Sequence, residues 1–347
     1  MRDREHTIQN NNAFGIQEEI ETKILTDSPE DIAVAGEILK GGGLVAFPTE
    51  TVYGLGADAM DLLAVSKIYR AKGRPSDNPM IVHIAEKEWL KDLALEITPD
   101  MEKLMDAFWP GPMTMVVKRQ PNIPDVTTGG LDTVGIRFPS NPVARALIKA
   151  AGCPVAAPSA NLSGKPSPTT SDHVIKDLKG RVDAIIKSGD CLHGIESTVI
   201  DMTGVIPMIL RPGVITQSML SDVLGKKVKL DPALNARLGE NYQPRSPGMK
   251  YKHYAPQAEM KIYAGERPKV EAAINQEKNA LEKEGKRVKV IVFDNEVEAA
   301  RDLFALLRAA DDEGVDVILA ASMPEVGLGF SVMNRMLKSA GYNVTYV

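Results

Sequence analysis

Two cations, Lys72 and Arg74, stand one residue apart in a segment braced by prolines. Pro75 follows them directly, and Asn78 and Pro79 come shortly after. An ammonium and a guanidinium group held on a stiff turn can bind an anion such as phosphate. A solvated helix end would carry the same residues, because cations are favoured in a last helical turn. The two prolines favour the anion site, since they stiffen a loop that a surface turn would leave free.

Short polar side chains follow a predicted strand at residues 154–157. Beyond Ala157 the chain carries Ser159, Asn161 and Ser167 among Pro, Gly and Ala residues. Small side chains let a ligand approach the backbone, and hydroxyl and amide groups offer short hydrogen bonds. A turn capped by its own side chains has the same composition, so a ligand loop and a structural turn both remain open.

Isolated polar residues also interrupt strands that are otherwise apolar. Arg137 lies in a predicted strand at 134–138, and we expect it to pair with a carboxylate of either the protein or a ligand. His83 lies in an apolar strand, where a histidine is ordinarily a satisfied core residue. Ser197 begins a predicted strand and Arg211 ends the next one, which brings a hydroxyl and a guanidinium group to the ends of the sheet.

Familiar catalytic patterns are absent from the sequence or broken in it. Residues 164–166 read Gly-Lys-Pro, and the proline spoils a phosphate-binding loop. Residues 54–59 match the GxGxxG/A pattern of dinucleotide-binding folds, but the polar residues 49–51 stand where such a fold needs a buried apolar strand. Cys153 and Cys191 form no CxxC pair, so neither a zinc site nor a disulfide framework is expected.

The composition is that of an ordinary globular protein, with 44% hydrophobic and 25% charged residues. A net charge of -5 argues against a general nucleic-acid coat, which would need a broad basic surface. The charged start has no apolar run typical of a secretory signal, and no segment reaches the roughly 18 apolar residues of a membrane helix. We therefore expect a cytoplasmic protein without membrane contact.

A chain of 347 residues predicts two domains. We expect a flexible arm at 1–18 and a larger domain at 19–225, in which adjacent strands indicate hairpins and hence a mixed sheet. The predicted strands of this domain lie at 44–47, 80–84, 113–118, 134–138, 154–157, 183–186, 197–202 and 206–210. Its predicted helices lie at 30–40, 61–71, 99–108, 141–151, 171–178 and 216–224. The segment after Phe47 is expected to be a polar, glycine-bearing loop.

A linker at 226–258 is rich in Pro, Tyr and cations, which is more typical of a lid than of a tether. Residues 259–347 then alternate strands with helices, and this order predicts a small, Rossmann-like parallel α/β domain. Its predicted strands lie at 259–263, 288–293 and 315–320, and its helices at 268–284, 296–310 and 328–340. We expect no chemistry in this second domain, because its strand ends hold few ionisable groups.

Taken together and in this order, the motifs resemble the threonylcarbamoyl-AMP synthase family in its long form, with a YrdC-like catalytic domain, a linker and a C-terminal domain. The resemblance covers about residues 25–347. The motifs that carry it are PTETVYGLG at 48–56, KGRP at 72–75, NP at 78–79, WPGP at 109–112, GIRFP at 135–139, PSAN at 158–161, IESTV at 195–199, RPG at 211–213, SPGMKYKHYAP at 246–256 and GLGFSVMNRMLKSA at 327–340.

The resemblance implies a nucleotidyltransferase that joins L-threonine, bicarbonate and ATP into threonylcarbamoyl-adenylate and releases pyrophosphate. It implies a twisted, mixed open sheet with a large concave cavity, and Mg²⁺ that accompanies ATP with no dedicated metal site in the protein. The product would pass to a complex that modifies tRNA, with a possible tRNA contact by the chain itself.

Site residues follow from the resemblance position by position. Those implied to bind threonine are Thr51, His83, Arg137, Ala157 and Ser197. Lys72 and Arg74 are implied to be catalytic at the phosphates, and the implied ATP contacts are Arg74, Asn78, Thr133, Ser159, Asn161, Ser167 and Arg211. Tyr251 and Tyr254 are implied to belong to the lid.

Two other classes of protein have a domain related to that of this enzyme. A non-catalytic RNA-binding protein with a YrdC-like domain would also have a positive cavity, although the overall acidity counts against it. A carbamoyl-transfer enzyme of the hydrogenase-maturation type contains a related domain, but it also carries zinc-finger cysteines and an acylphosphatase segment that this sequence lacks.

Overall fold

Two β-sheets organise the chain, and each is covered by its own helices. This computed structural model describes residues 20–235, 244–247 and 253–347. The predicted arm at 1–18 and the lid residue Tyr251 lie outside the described residues, so both stay predictions.

The first sheet is mixed, as predicted. In the described residues it has eleven strands in the order β1-β8-β2-β3-β7-β4-β6-β5-β9-β10-β11. Neighbours such as β4 and β6 are parallel, whereas β5 and β6 are antiparallel. The strands are β1 (Lys23–Leu25), β2 (Val45–Phe47), β3 (Gly54–Asp58), β4 (Ile81–His83), β5 (Met113–Lys118), β6 (Thr133–Arg137), β7 (Val155–Ala156), β8 (Ala184–Ile186), β9 (Thr198–Asp201), β10 (Met208–Arg211) and β11 (Lys229–Leu230).

Helices cover this sheet, and the sequence predicts the longer ones to within about two residues. Local chemistry explains their starts: the Asp61 side chain accepts hydrogen bonds from two amides of α2, and Asn141 does the same for α5, which has Pro142 in its first turn. The helices are α1 (Pro29–Lys40), α2 (Leu62–Lys72), α3 (Pro99–Phe108), α4 (Asp125–Thr128), α5 (Pro142–Ala151), α6 (Ser171–Leu178) and α7 (Gln217–Leu224), with 3₁₀ turns at Lys87–Asp92 and Pro232–Asn235.

The strand β3 corrects one prediction. The sequence predicts a loop at Gly54–Asp58, but this segment pairs antiparallel with both β2 and β7. Its glycines serve close packing, because a Cβ on Gly56 would lie 2.8 Å from a methyl of Val155 and 2.9 Å from the Phe47 ring. Strand formation also excludes the dinucleotide interpretation, in which the glycines would form a strand-to-helix turn.

The second sheet is parallel, as the alternating pattern predicts, with the order β13-β14-β12-β15. The sequence misses β15, because three residues near the end of the chain show no resolvable period. The elements are β12 (Glu259–Ala264), α8 (Arg267–Lys283), β13 (Val288–Ile291), α9 (Glu296–Asp312), β14 (Val317–Ala321), α10 (Gly327–Ser339) and β15 (Val344–Tyr346).

The two parts of the chain share a hydrophobic core. Val52 and Ile195 from the first part and Tyr254 from the linker pack into the core that α9 and α10 form on the second sheet. The second sheet is therefore packed against the segments that flank β3 and β9. None of the helices within the described ranges has the length and apolar character that crossing a bilayer requires.

Candidate functional site

A cavity forms where segments from distant parts of the chain meet beside the first sheet. The carboxyl ends of the parallel strands β4 and β6 carry His83 and Arg137 in direct register. Ten of the residues predicted for the site line the cavity: Thr51, Arg74, His83, Arg137, Ala157, Ser159, Asn161, Ser167, Arg211 and Tyr254. Its other lining residues are Thr49, Val52, Tyr53, Gly54, Ile81, Pro158, Lys165, Glu196, Pro247 and His253.

Two guanidinium groups of the cavity form no ion pair with the described carboxylates. Arg74 follows α2, and its Nη2 donates to the carbonyl oxygens of Pro79 (2.9 Å) and Asn78 (3.3 Å). Arg211 ends β10 and donates to the carbonyl oxygen of Ser197 at 3.0 Å. Burial lowers the pKa of each arginine to about 10, so both are charged at neutral pH. Carbonyl oxygens orient both groups, and although the charge of Glu196 acts on Arg211, neither arginine is bound to a described carboxylate, which suits an anionic ligand.

Arg137 pairs with a carboxylate of the protein. The sequence leaves open whether its partner is a protein carboxylate or a ligand carboxylate. Its Nη2 donates to Oε1 of Glu50 at 2.6 Å, and both side chains are only 5% exposed. The pair is incomplete among the described residues, since Nε of Arg137 and Oε2 of Glu50 have no hydrogen-bond partner there. A contact between Arg137 and threonine stays a prediction, and Arg137 does line the cavity.

Lys72 is placed differently from the phosphate contact that the sequence predicts. Its ammonium group donates to the carbonyl oxygens of Ser159 and Asn161, and the residue is buried. Burial is the main reason why the pKa of Lys72 is well below its ordinary value. Lys72 is not among the described residues that line the cavity, so here it braces the 158–161 loop, and a catalytic contact stays a prediction.

Three other predicted residues also lie outside the cavity lining of the described chain. Asn78 is buried, and its carbonyl oxygen accepts hydrogen bonds from Arg74 and from the hydroxyl of Tyr69. The hydroxyl of Ser197 is buried between Thr114 (2.8 Å) and Arg211 (3.1 Å). Thr133 lines a separate small cavity beside the first one. These residues support the cavity walls, and their predicted ligand contacts stay predictions.

The hydroxyl and amide groups of the cavity are held by short local bonds. The Thr51 hydroxyl lies 2.8 Å from that of Thr49, and the Ser159 hydroxyl donates to Oδ1 of Asn161 at 2.5 Å. The Asn161 amide in turn donates to the carbonyl oxygen of Lys165 at 3.0 Å. The segments 49–51 and 158–165 are therefore ordered polar walls, as a ligand site requires.

His83 is neutral in the cavity. Its Nδ1 lies 3.2 Å from the carbonyl oxygen of Ile81, and the side chain is buried. Burial, assisted by the charge of Arg137, lowers the pKa of His83 to about 3. A neutral imidazole adds a hydrogen-bonding group to the cavity without adding charge.

Glu196 is a cavity residue that the sequence analysis leaves without a role. Its Oε1 accepts a hydrogen bond from the Ser167 hydroxyl at 2.5 Å, and its Oε2 accepts one from Nε of Arg335 at 3.1 Å. Burial alone would raise the pKa of Glu196, but the charges of Arg335 and Arg211 outweigh it and lower the pKa. The sequence feature that could have revealed it is an acidic residue between the apolar Ile195 and the strand β9. A carboxylate buried in such a context needs a cationic partner.

The end of the linker reaches the cavity through Pro247, His253 and Tyr254. Tyr254 adopts a left-handed backbone with φ 63°, and its ring stacks on Phe304 of α9 at 5.0 Å. Burial and the nearby Glu196 raise the pKa of Tyr254 to about 12. Nε2 of His253 has no hydrogen-bond partner in the described part of the chain. The sequence predicts Tyr254 at this site, but it does not predict His253.

Two family models match the chain. One, described as "Telomere recombination", matches residues 37–213. The other, described as "Threonylcarbamoyl-AMP synthase, C-terminal domain", matches residues 215–341. The first match contains most of the first sheet and the cavity walls, and the second contains most of the second sheet.

Relatives match almost the whole chain. A threonylcarbamoyl-AMP synthase of Pyrococcus abyssi is 47% identical over 91% of this chain and 96% of the relative. One of Bacillus subtilis is 42% identical over 94% of this chain and 97% of the relative. Among solved structures, Pyrococcus abyssi Sua5 complexed with L-threonine has a TM-score of 0.89 at 45% identity and covers 92% of this chain and 97% of that one.

Proposed function

This chain belongs to the threonylcarbamoyl-AMP synthase family, and from that premise we propose that its cavity makes threonylcarbamoyl-AMP from L-threonine, bicarbonate and ATP. One observation carries the proposal. Arg74 and Arg211, which have no carboxylate partner in the described residues, share one cavity with the Thr51 and Ser159 hydroxyls. Such a site binds a multiply charged nucleotide beside a small polar substrate.

We assign the two substrates to different arginines of the cavity by whether each arginine is paired with a carboxylate. Arg74 and Arg211 form no ion pair with the described carboxylates, so we place the phosphates of ATP beside them. We assign Ser159, Asn161 and Ser167 to other parts of the same nucleotide. Arg137 already shares its charge with Glu50, which suits the single carboxylate of threonine better than a triphosphate. Thr51, His83 and Ala157 line the same cavity as Arg137, and we assign them to the proposed threonine end. The structure of the Pyrococcus abyssi relative with L-threonine supports this substrate.

The chemistry needs positioning more than a reactive side chain. The threonine amine adds to the carbon of bicarbonate, and loss of water gives a carbamate. A carbamate oxygen then attacks the α-phosphorus of ATP, and pyrophosphate leaves with the bonding electrons of the broken P–O bond. Burial raises the pKa of Cys191 and of Cys153 to about 12, so neither thiol is a ready nucleophile. Catalysis then rests on alignment and on cations that meet the phosphate charge.

Magnesium enters this proposal only as the ion that accompanies ATP. Glu196 is the one carboxylate lining the cavity in the described ranges, and both its oxygens already accept hydrogen bonds from Ser167 and Arg335. A single carboxylate with both oxygens already hydrogen-bonded does not provide an octahedral set of oxygen ligands. The magnesium ion would therefore keep phosphate and water ligands.

The linker fits a role in excluding water. Pro247, His253 and Tyr254 line the cavity, and a carbamate decomposes in water, so a cover over the reacting groups has a use. We propose that residues 226–258 act as a lid between a catalytic domain at 19–225 and a C-terminal domain at 259–347. The contact of Tyr254 with Phe304 ties this lid to the second sheet.

We place the chain in the nucleotidyltransferase class and in the cytoplasm, where its product would pass to a complex that modifies tRNA. The names of the relatives favour this enzyme over a non-catalytic RNA-binding protein. A direct tRNA contact by this chain is a separate proposal, and salt-dependent binding of tRNA would support it.

Mass spectrometry of a complete reaction tests the function. With ATP, L-threonine and ¹³C-bicarbonate, we expect threonylcarbamoyl-AMP carrying one ¹³C atom, together with pyrophosphate. Omitting threonine should abolish both products. Hydrolysis of ATP to ADP without an adenylate, or RNA binding without consumption of ATP, would overturn the proposal.

A further inference from the structure

Two buried arginines of the second sheet's helices form hydrogen bonds to Pro166 and Glu196, in and beside the cavity wall of the first sheet. Arg308 lies on α9 and is 5% exposed, and Arg335 lies on α10 and is fully buried. The sequence assigns no chemistry to this part of the chain. A buried guanidinium is costly unless its partners are in place, so the two contacts are specific features of the fold.

Arg335 acts on the cavity through Glu196. Its Nε donates to Oε2 of Glu196 at 3.1 Å, and its Nη1 donates to the carbonyl oxygens of Pro212 and Ser331. These bonds leave Oε1 of Glu196 directed at the Ser167 hydroxyl, 2.5 Å away. A line of hydrogen bonds thus runs from α10 to the cavity wall.

Arg308 holds the residue next to Ser167. Its Nε and Nη2 both donate to the carbonyl oxygen of Pro166, at 3.0 and 2.6 Å, and Nη2 also donates to Asp177 at 2.8 Å. Asp177 in turn accepts a hydrogen bond from Lys165 at 3.1 Å. Two arginines from another part of the chain therefore fix three successive residues, 165–167, of one cavity wall.

The direction of these bonds determines what Ser167 offers a ligand. A hydroxyl has one proton, and Ser167 donates it to the ionised Glu196. The oxygen therefore presents only lone pairs to the cavity. Phosphate oxygens at neutral pH are also acceptors, so the matching ligand group is a donor, such as a ribose hydroxyl or the amino group of adenine.

We propose that Arg335 and Arg308 are positioning residues for the nucleoside part of ATP. They hold Ser167 in place, and Arg335 fixes it as a hydrogen-bond acceptor by orienting Glu196. The proposal rests on the proposed function in that ATP is the nucleotide. It makes the second sheet part of the nucleotide site, although none of its own residues lines the described cavity.

Calorimetric binding of ATP and of L-threonine to the full chain tests this proposal without requiring turnover. Arg335→Met should weaken ATP binding at least about tenfold, the equivalent of one ligand hydrogen bond, and change threonine binding by less than about twofold. Arg308→Met should act in the same direction. The matched control is Arg301→Met on α9, whose guanidinium is exposed and pairs only locally with Asp302.

A second variant separates positioning from folding. In Arg335→Met the buried carboxylate of Glu196 loses its ion-pair partner, although the charge of Arg211 still acts on it, and the protein is expected to lose stability. Adding Glu196→Gln removes that charge, and the Gln carbonyl can still accept the Ser167 proton. The double variant should therefore regain much of the lost stability in urea unfolding. Its ATP affinity should stay weak, because no guanidinium group then orients the side chain at position 196.

The outcomes are distinct. Equal weakening of ATP and threonine, or no weakening of ATP in folded Arg335→Met, overturns the positioning role. Recovery of ATP affinity together with stability in the double variant, which has no Arg335 to orient position 196, overturns the positioning role of Arg335. Wild-type protein that binds ATP but makes no adenylate refutes the proposed function alone, and wild-type protein that does not bind ATP refutes both.

Discussion

The arginines of the site differ in whether a carboxylate of the protein pairs with them. Arg137 and Arg335 are neutralised by Glu50 and Glu196, whereas Arg74 meets only carbonyl oxygens among the described residues. Coulombic attraction to a ligand is strongest where no protein anion competes within a low-dielectric site. Arg74 is thus the first choice for a contact with the triphosphate.

Replacing Arg74 with Ala should lower kcat/KM for ATP by about two orders of magnitude or more, since removal of one preorganised donor has effects of this size. The far-UV circular dichroism and the urea midpoint should change little, because the side chain holds together only the neighbouring turn. The control is Arg70→Ala, which removes an exposed cation from α2, the helix that precedes Arg74. Turnover of Arg74→Ala equal to that of the control would contradict a phosphate role.

A test of Arg137 needs a double variant, because replacing Arg137 alone leaves the buried carboxylate of Glu50 without its ion-pair partner. Arg137→Ala should destabilise the protein by about 3–5 kcal/mol, the usual effect of leaving a buried charge unpaired. The pair Arg137→Met with Glu50→Gln should restore most of that stability and still raise the KM for L-threonine more than the KM for ATP. A double variant with an unchanged threonine KM would assign Arg137 to folding alone.

Sequence patterns predict the cationic and imidazole residues that line the cavity better than they predict the carboxylates that pair with its arginines. Arg74, His83 and Arg211 were found because a cation or an imidazole in an apolar or proline-braced context is unusual. Glu50 and Glu196 were missed as partners, since their pairing depends on contacts across 87 and 139 residues. Such distances carry no local period that a sequence pattern can reveal.

At the scale of elements, the strands and helices with a clear period were predicted closely. The predicted helix at 99–108 and the strand at 113–118 have the observed bounds. The strand β3 was missed because two glycines in five residues weaken a strand on local grounds, and only the packing of Val155 and Phe47 against Gly56 explains them. The prediction of Lys72 at the phosphates rests on its position at a helix end, and that position does not reveal its hydrogen bonds to the carbonyl oxygens of Ser159 and Asn161.

Gly194 tests how closely the second sheet's helices must approach the cavity segment. It has φ 70°, and a Cβ there would lie 2.2 Å from the carbonyl oxygen of Arg301 and 2.5 Å from that of Ala300 on α9. Gly194→Ala should therefore destabilise the protein by about 1–3 kcal/mol beyond the backbone penalty, as overpacking does, and lower kcat. Urea unfolding and steady-state kinetics measure the two effects.

Gly152→Ala is the matched control for this variant. Gly152 has nearly the same backbone, with φ 69°, but a Cβ there would meet no atom within 4 Å. It should lose only the roughly 1–2 kcal/mol of a left-handed alanine, and its activity should be normal. Equal losses in both variants would mean that the contact between Gly194 and α9 is not tight in solution.

At the scale of the whole molecule, the cavity belongs to both sheets. The first sheet supplies the lining residues, the linker supplies Tyr254 and His253, and the second sheet supplies the arginines that hold 165–167. The resemblance of the sequence predicts the first of these contributions and, in the second, Tyr254 but not His253. It does not predict the arginines from the helices of the second sheet, because the strand ends of that domain hold few ionisable groups.

Burying neutral histidines makes the stability of the whole chain depend on pH. Burial lowers the pKa of His83 and of His253 to about 3 and that of His173 to about 4, whereas an unfolded histidine titrates near 6.5. Between these values the unfolded chain binds more protons than the folded one. The stability is therefore fully present above pH 6.5 and falls as the pH is lowered, by up to about 1.4 kcal/mol per pH unit for each fully buried histidine.

The contribution of His83 can be isolated by comparing the wild type with His83→Asn at two pH values. Other groups, among them Glu196 and Asp177 with their lowered pKa values, destabilise both proteins in acid and cancel in the comparison. Between pH 7 and pH 5 the variant should lose about 2 kcal/mol less than the wild type, as measured by urea unfolding. Equal losses would show that the imidazole of His83 can be protonated within the fold, and the threonine end of the cavity would then carry a positive charge in mild acid.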